Sequence, residues 1–348
     1  MSRVTLQDIA ARVGVDRSTV SRVLANKAAE GGISAELSRK ILLKAQELNY
    51  IPNTSARAVK MGRFNCAALL LSTDAGRSYL PSRLLDGIHD QLAAADMHLT
   101  VAKMPDAKLN SESYVPKILR SLMADGMLIN YTMDLPEHLV EIVDQRQLPA
   151  IWINTPRQHD AVYPENRVAA RQATERLLAL GHRRIAYIDL CHDFSSVGLA
   201  HFSASERLAG YSEAMQRAGL RPRDVRPDAA CLTFEQEKAF ALEFLRQPDR
   251  PTALICYFSI FLPALMQAAA EAGVRVPQDL SVITFSPENY REHGVIVTAM
   301  IEPHYRMGQE AVRLLHTKME KPLDSVEARK LDFVWREMGT CTAPPSAV

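Results

Sequence analysis

Cysteine is scarce, and the five present, Cys66, Cys191, Cys231, Cys256 and Cys341, show no paired spacing. That excludes a disulfide framework and a zinc site, and it fits a reducing compartment. No apolar run approaches the roughly 20 residues that span a bilayer, and the opening MSRVTLQDIAA has no secretory core. A chain that stays in the cytoplasm and makes no membrane contact is expected. Catalytic signatures are missing too. There is no GxGxxG, no GxxxxGK[ST] phosphate loop, no GxSxG elbow and no HExxH, and His182, His192 and His201 lack metal-ligand spacing. No enzyme activity, cofactor or metal is therefore expected. Net charge is nearly absent as well, at +1.

That near-neutral total hides an asymmetry. Residues 1–63 hold 11 Lys/Arg against 5 Asp/Glu, which leaves 30 against 35 for the rest of the chain. A small basic unit joined to a larger acidic one points to nucleic acid for the first. The 348 residues, 47% of them hydrophobic, suffice for two or three compact units with real cores.

The basic unit opens with VTLQDIAARVGVDRSTVSRVLAN, Val4 to Asn26. Leu6, Ile9, Ala10 and Val13 follow the period of one helical stripe, and Gly14 suits a helix end with positive φ. Asp16 is placed to cap a second helix that buries Val20, Val23 and Leu24. Arg17, Ser18, Ser21 and Arg22 then point outward. Two short helices around a glycine turn, with arginines and hydroxyls on the outer face of the second, describe a helix-turn-helix. The bland alternative is a three-helix cap with a solvated surface. Against it, the outer residues are basic and small-hydroxyl rather than mixed Glu/Lys. Arginine forks suit guanine O6 and N7, so Arg17, Ser18 and Arg22 are the expected base contacts. Thr5, Thr19, Ser21 and Asn26 are expected on phosphates. After the loop KAAEGGI, Ser34 caps a third helix with inner face Leu37, Ile41, Ala45 and Leu48.

This stretch, with LNYIPN at Leu48–Asn53, resembles the opening of the LacI/GalR family of bacterial transcription regulators, and weaker likeness runs to about Trp335. The resemblance implies a hinge helix near Thr54–Met61 that orders on operator DNA and enters the minor groove, with Asn53, Ser55, Ala56 and Val59 as its contacts. Eight residues alone make a marginal helix in water. The wedge falls on Val59 where the family usually has Leu; the shorter, β-branched side chain suggests a shallower kink or a different central step.

Beyond Asn65 short apolar runs alternate with amphipathic segments. The runs are CAALLLS (66–72), MHLTVA (97–102), GMLIN (126–130), AIWIN (150–154), RIAYIDL (184–190), ALICYF (253–258) and LSVITF (280–285). Arg83–Ala95, Glu137–Gln145, Val168–Leu180 and Leu262–Ala272 are the segments between them. The alternation predicts parallel sheets covered by helices. The resemblance adds two α/β lobes like those of periplasmic binding proteins, with crossings near Tyr163–Asn166, Ser286–His293 and Lys321–Glu327. The expected organisation is a helix-turn-helix domain at 1–50, a hinge and linker at 51–64, an N-terminal lobe at 65–165 with 294–322, and a C-terminal lobe at 166–293 with 323–340. A disordered tail at 341–348, without a tetramerising leucine heptad, completes it.

Ligands of open parallel sheets bind beyond the carboxyl ends of the strands. Asp74, Tyr79, Asn154, Phe258, Ser259 and Ser286 lie just past such ends. Arg207, in SERLAGY, matches an arginine with which the family holds its effector; the alternative is a salt bridge that only orders its helix. Two departures from the family stand out. Phe258-Ser259 replaces Asn-Asp, and Phe285-Ser286-Pro287 replaces Phe-Asp-Asp. One hydroxyl cannot reproduce the two-oxygen grip of a carboxylate on a sugar. The expected effector is anionic or partly apolar rather than a neutral free sugar.

Together these readings describe a homodimeric regulator, expected to be a repressor, on palindromic double-stranded operator DNA, with a small-molecule effector between its lobes. Dimer contacts are expected through Arg83–Ala95 and the segment after Leu262. Its rivals are the same regulator answering to a protein partner or to no ligand, a free solute-binding protein, and an enzyme on the same scaffold. The basic N-terminal unit opposes the free solute-binding protein, and the missing motifs oppose the enzyme.

Overall fold

The computed structural model describes residues 4–25, 27–51, 63–105, 124–190, 201–227, 233–288 and 296–345, and the chain divides into two compact units at Phe64/Asn65. The first unit holds α1 (Leu6–Val13), α2 (Arg17–Leu24) and α3 (Ala35–Glu47). Thr5 starts α1 with a reciprocal cap: the Asp8 amide donates to Thr5 Oγ1 at 3.3 Å, and the Thr5 amide donates to Asp8 Oδ2 at 2.8 Å. Gly14 ends the helix at φ 80°. Ser34 caps α3 by accepting from the Leu37 amide. Asp16 departs from expectation. It occupies the N-cap position of α2, yet its carboxylate makes no capping bond. The three helices share one core of Ile9, Ala10, Val13, Val20, Val23, Ile41 and Ala45.

The second unit contains two six-stranded sheets. Its elements in order are β1 (Cys66–Ser72), α4 (Ser82–Ala94), β2 (His98–Met104), β3 (Gly126–Ile129), α5 (Glu137–Gln145), β4 (Ala150–Ile153) and β5 (Ala161–Pro164). There follow α6 (Asn166–Ala179), β6 (Ile185–Ile188), α7 (Phe202–Arg217), β7 (Asp224–Val225), α8 (Phe234–Leu245), β8 (Ala253–Cys256) and α9 (Leu262–Glu271). The last elements are β9 (Ser281–Ser286), β10 (Thr298–Ile301), α10 (His304–Glu320), β11 (Arg329–Leu331) and β12 (Val334–Arg336). Strand order is β11-β5-β4-β3-β1-β2 in the first lobe and β12-β10-β9-β8-β6-β7 in the second. Every pairing is parallel except β10 with β12. Helices cover both faces, so the central strands β1, β3, β4, β6, β8 and β9 are buried along their whole length.

Helix α10 lies so close to α4 that a Cβ on Gly308 would come within 2.4 Å of the Leu84 carbonyl oxygen. Only glycine fits that crossing.

The lobes join at three passages. The first is Glu165, between β5 and α6. The second is Glu302-Pro303 and the third Asp332-Phe333, not Ser286–His293 and Lys321–Glu327. TAMI, Thr298–Ile301, is itself a buried strand paired in parallel with β9, so the chain stays in the second lobe until residue 301. Similarly, Arg329–Leu331 pairs with β5 and holds the chain in the first lobe until residue 331. The segment 294–301 therefore belongs with the C-terminal lobe and 323–331 with the N-terminal one.

The tail is also corrected, for its described part 341–345. Thr340 Oγ1 donates to the Val282 carbonyl at 2.8 Å, and the Thr342 amide donates to Ser281 Oγ at 3.0 Å. His182, in the GHRRI turn, holds the Thr342 carbonyl at 2.8 Å and Thr252 Oγ1 at 2.9 Å, and burial pushes its imidazole pKa down. These bonds dock the segment on the sheet of the second lobe. Among the described residues no helix is long and apolar enough to cross a membrane, and no group of His, Cys, Asp or Glu could hold a metal ion.

Candidate functional site

Two places concentrate the side chains singled out from the sequence, one in each unit. In the first, Arg17, Ser18 and Arg22 are exposed on α2, while Thr19 and Ser21 are half-buried. The stem of Arg22 lies on the turn at Gly31, where an added Cβ would stand 3.1 Å from Arg22 Cδ. Neither Arg17 nor Arg22 has an ion-pair partner among the described residues, so both present uncompensated charge. The Thr5 hydroxyl is already engaged with Asp8, at 2.8 Å from Oδ2. Asn26 and the hinge residues Asn53, Ser55, Ala56 and Val59 lie outside the described residues.

In the second unit the carboxyl ends of the strands of both lobes turn toward the passages. Arg207 of α7 is the centre, 3% exposed. Its Nε donates to Asn166 Oδ1, its Nη1 to the Tyr257 carbonyl at 2.9 Å, and its Nη2 to Glu302 Oε1 at 2.8 Å. The guanidinium carbon stands 4.3 Å above the Phe285 ring centre and 5.6 Å from that of Phe333. Asn166 follows the first passage, Glu302 forms the second and Phe333 belongs to the third. One buried cation thus touches all three.

Glu302 Oε2 accepts from His304 Nε2 at 2.9 Å. Burial alone would raise the Glu302 pKa, but Arg207 and His304 outweigh it and hold the carboxyl well below the usual range. The charge of Arg207 is therefore already balanced. The anionic half of the sequence expectation counted Arg207 as a free guanidinium beside serines in place of the family's carboxylates, and Glu302 already pairs with that guanidinium. The alternative reading of Arg207 as a salt bridge is realised in part, although the bridge joins lobes and does not merely order its own helix.

Around this core stand the other candidates. Tyr79 of the first lobe meets Phe258 of the second edge-on at 6.4 Å and His304 at 6.2 Å. Asn130 Nδ2 steadies that loop by donating to the Tyr79 carbonyl. Ser259, Ser286 and Asn154 are buried, and Ser259 Oγ, Ser286 Oγ and Asn154 Oδ1 find no hydrogen-bond partner among the described residues. Asp74 turns one oxygen inward to the Gly76 amide at 2.9 Å, closing its own turn.

Sequence reading missed Asn166, His201, Tyr257, Glu302 and His304. His201 caps α7 by accepting at Nδ1 from the Ser203 amide, and Ser203 Oγ reaches the Tyr257 hydroxyl at 2.8 Å. Burial first, and then the nearby Arg207 charge, lower the His201 pKa to about 4. Glu302 alone carried a signal, an acid directly after the apolar run TAMI. That run is not among the apolar runs read from the sequence, and its segment is expected in the N-terminal lobe as part of 294–322.

Comparison with known proteins gives the family and the fold. Residues 5–53 match the family of bacterial regulatory proteins, lacI family, and residues 174–337 match the periplasmic binding protein-like domain. The chain belongs to the LacI/GalR family of bacterial transcription regulators. Like other LacI/GalR members it is a DNA-binding regulator with a ligand-binding effector domain, not an enzyme. The HTH-type transcriptional repressor PurR of Photobacterium profundum is 24% identical over 335 residues, 94% of each chain. The HTH-type transcriptional regulator CelR of Thermobifida fusca is 26% identical over 90% of this chain and 91% of its own. The lac repressor dimer bound to operator and the anti-inducer ONPF superposes with a TM-score of 0.78 at 22% identity, over 98% of this chain and 100% of that one. At that identity the likeness speaks for the fold alone.

Proposed function

We propose that the protein is a homodimeric repressor of a palindromic operator, released or strengthened by a small, uncharged, partly apolar molecule bound between the lobes. The observation that carries the ligand half is the set of buried polar atoms without partners among the described residues, Asn154 Oδ1, Ser259 Oγ and Ser286 Oγ. A buried polar atom left unpaired costs about 1–3 kcal/mol, so three at strand ends favour a ligand that would satisfy them. Tyr79 and Phe258 offer aromatic edges, and the balanced Arg207–Glu302 pair offers no net charge to an anion.

For the DNA half, the uncompensated Arg17 and Arg22 suit base edges and a polyanion. One recognition helix reads too few base pairs for useful specificity, which favours a two-fold dimer on a two-fold site. Relatives named as repressors, and a lac repressor dimer bound to operator, support the same reading. The outer face of α4 and the surface at Ile260, 46% exposed just before α9, are the proposed dimer contacts.

The test couples a thermal-shift screen of uncharged ring-bearing metabolites, free sugars and organic acids to operator release. Uncharged ring compounds should stabilise the protein and shift operator affinity. A ligand at one hundred times its dissociation constant adds about 2.7 kcal/mol. A free monosaccharide or an organic acid acting at micromolar concentration, while ring compounds do nothing, would overturn the ligand assignment.

A further inference from the structure

We infer that Glu302 occupies, from within the chain, the place at Arg207 that a ligand carboxylate would take, and so makes this cleft refuse anionic ligands. The inference rests on the reading of the interlobe cleft as the effector site and names the residue that sets its ligand class.

The geometry carries it. The Arg207–Glu302 contact of 2.8 Å joins two side chains that are 4% and 8% exposed, so water screens neither partner. Glu302 is anchored on its other oxygen by His304 at 2.9 Å and by its own amide, which donates to the Ser286 carbonyl at 2.9 Å. Its backbone is the second passage between the lobes. An incoming carboxylate would have to share one guanidinium with a carboxylate already in place. Two such groups can both ionise there only against strong repulsion. Displacing Glu302 instead would leave a buried anion without its cation, which is a worse outcome.

What remains of Arg207 suits a neutral ligand. Its guanidinium has five N–H donors, and Asn166, Tyr257 and Glu302 engage three. Among the described residues two are left for a carbonyl or hydroxyl oxygen. His201 and the nearby tyrosines add no positive charge. His201 stays neutral above a pKa of about 4, and the tyrosine hydroxyls of Tyr187 and Tyr257 have pKa values raised by burial.

Removing the built-in anion should therefore open the site to an external one. The probe is sodium formate against matched sodium chloride, read by melting temperature on the full chain. The native protein should respond equally to both salts. Glu302→Ala should melt lower than native and recover with formate in a saturable manner. A shift of about 2–4 °C is expected once formate exceeds its dissociation constant roughly tenfold. Arg207→Met/Glu302→Ala should lose the formate-specific part. Glu302→Ser leaves nearly the same gap and serves if the alanine variant does not fold. Benzoate and benzamide extend the test to ring ligands: native should favour the amide, and the Glu302 variants should bind benzoate at least about tenfold better than native does. Formate stabilising the native chain as much as the variants overturns the inference, and so does a folded Glu302 variant indifferent to formate. Formate rescue reads the arginine alone, whereas the effector assignment depends on operator release, so either can fail without the other.

Discussion

The two functional regions of this protein treat their arginines in opposite ways. On α2, Arg17 and Arg22 are exposed and have no ion-pair partner among the described residues. Between the lobes, Arg207 is buried and engaged by an amide oxygen, a carbonyl and a carboxylate. A cation left uncompensated at a surface costs little in water and is ready for a polyanion. A buried cation must be paired to exist there at all. The same side chain thus serves recognition in one unit and cohesion in the other, and burial decides which.

The largest expected effect breaks the second half of that contrast. Arg207→Met should lower unfolding stability by about 3–5 kcal/mol, because it strands Glu302 as an unpaired buried charge. Urea titration measures it, and Arg207→Met/Glu302→Met should recover most of the loss. A double variant as unstable as the single would mean that the pair is not what holds the passages together.

Next comes the first half. Arg22→Ala should cost about 1–3 kcal/mol of discrimination at one symmetric pair of operator positions, measured by competition between specific and random DNA. Equal weakening on both DNAs would make Arg22 a phosphate contact instead.

A smaller change compares two helix starts within the basic unit. Thr5→Ala removes a formed cap and should destabilise that unit by about 1 kcal/mol, while Asp16→Ala removes none and should have a lesser effect on thermal unfolding.

The smallest effect concerns pH. The His201 pKa is depressed to about 4 in the fold, below the ordinary value near 6.5, so the folded chain favours the neutral ring. The stability linked to that preference is complete above about pH 6.5 and is lost as pH falls toward 4. The Glu302 pKa is also depressed, and its contribution is lost below the ordinary carboxylate range, near pH 4.3. His201→Gln should flatten the upper window of the stability–pH curve and leave the lower one. An unchanged upper window would assign that slope to other groups.

Legibility followed the range of the forces involved. The cap at Ser34, the glycine stop at Gly14, and the strand CAALLLS at 66–72 depend on neighbours within a few residues, and local sequence reveals them. Glu137–Gln145 was readable end to end for the same reason. TAMI was not. It is four residues, three of them apolar, too short to show a period, and it is a strand because β9 lies beside it. Misplacing it shifted the second passage and hid Glu302.

What the sequence determined by itself is the two-unit plan, the helix-turn-helix with its outward arginines, and the alternating strands and helices of the lobes. These rest on local propensity and on charge that needs no partner to be read. Only the tertiary structure decided where the chain changes lobes, that the segment after Thr340 docks on a sheet, and that Arg207 is already neutralised. Arg207 and Glu302 stand 95 positions apart along the chain. An ion pair between such distant residues has no local period or spacing to announce it; it forms because two separate passages between lobes converge on one buried point.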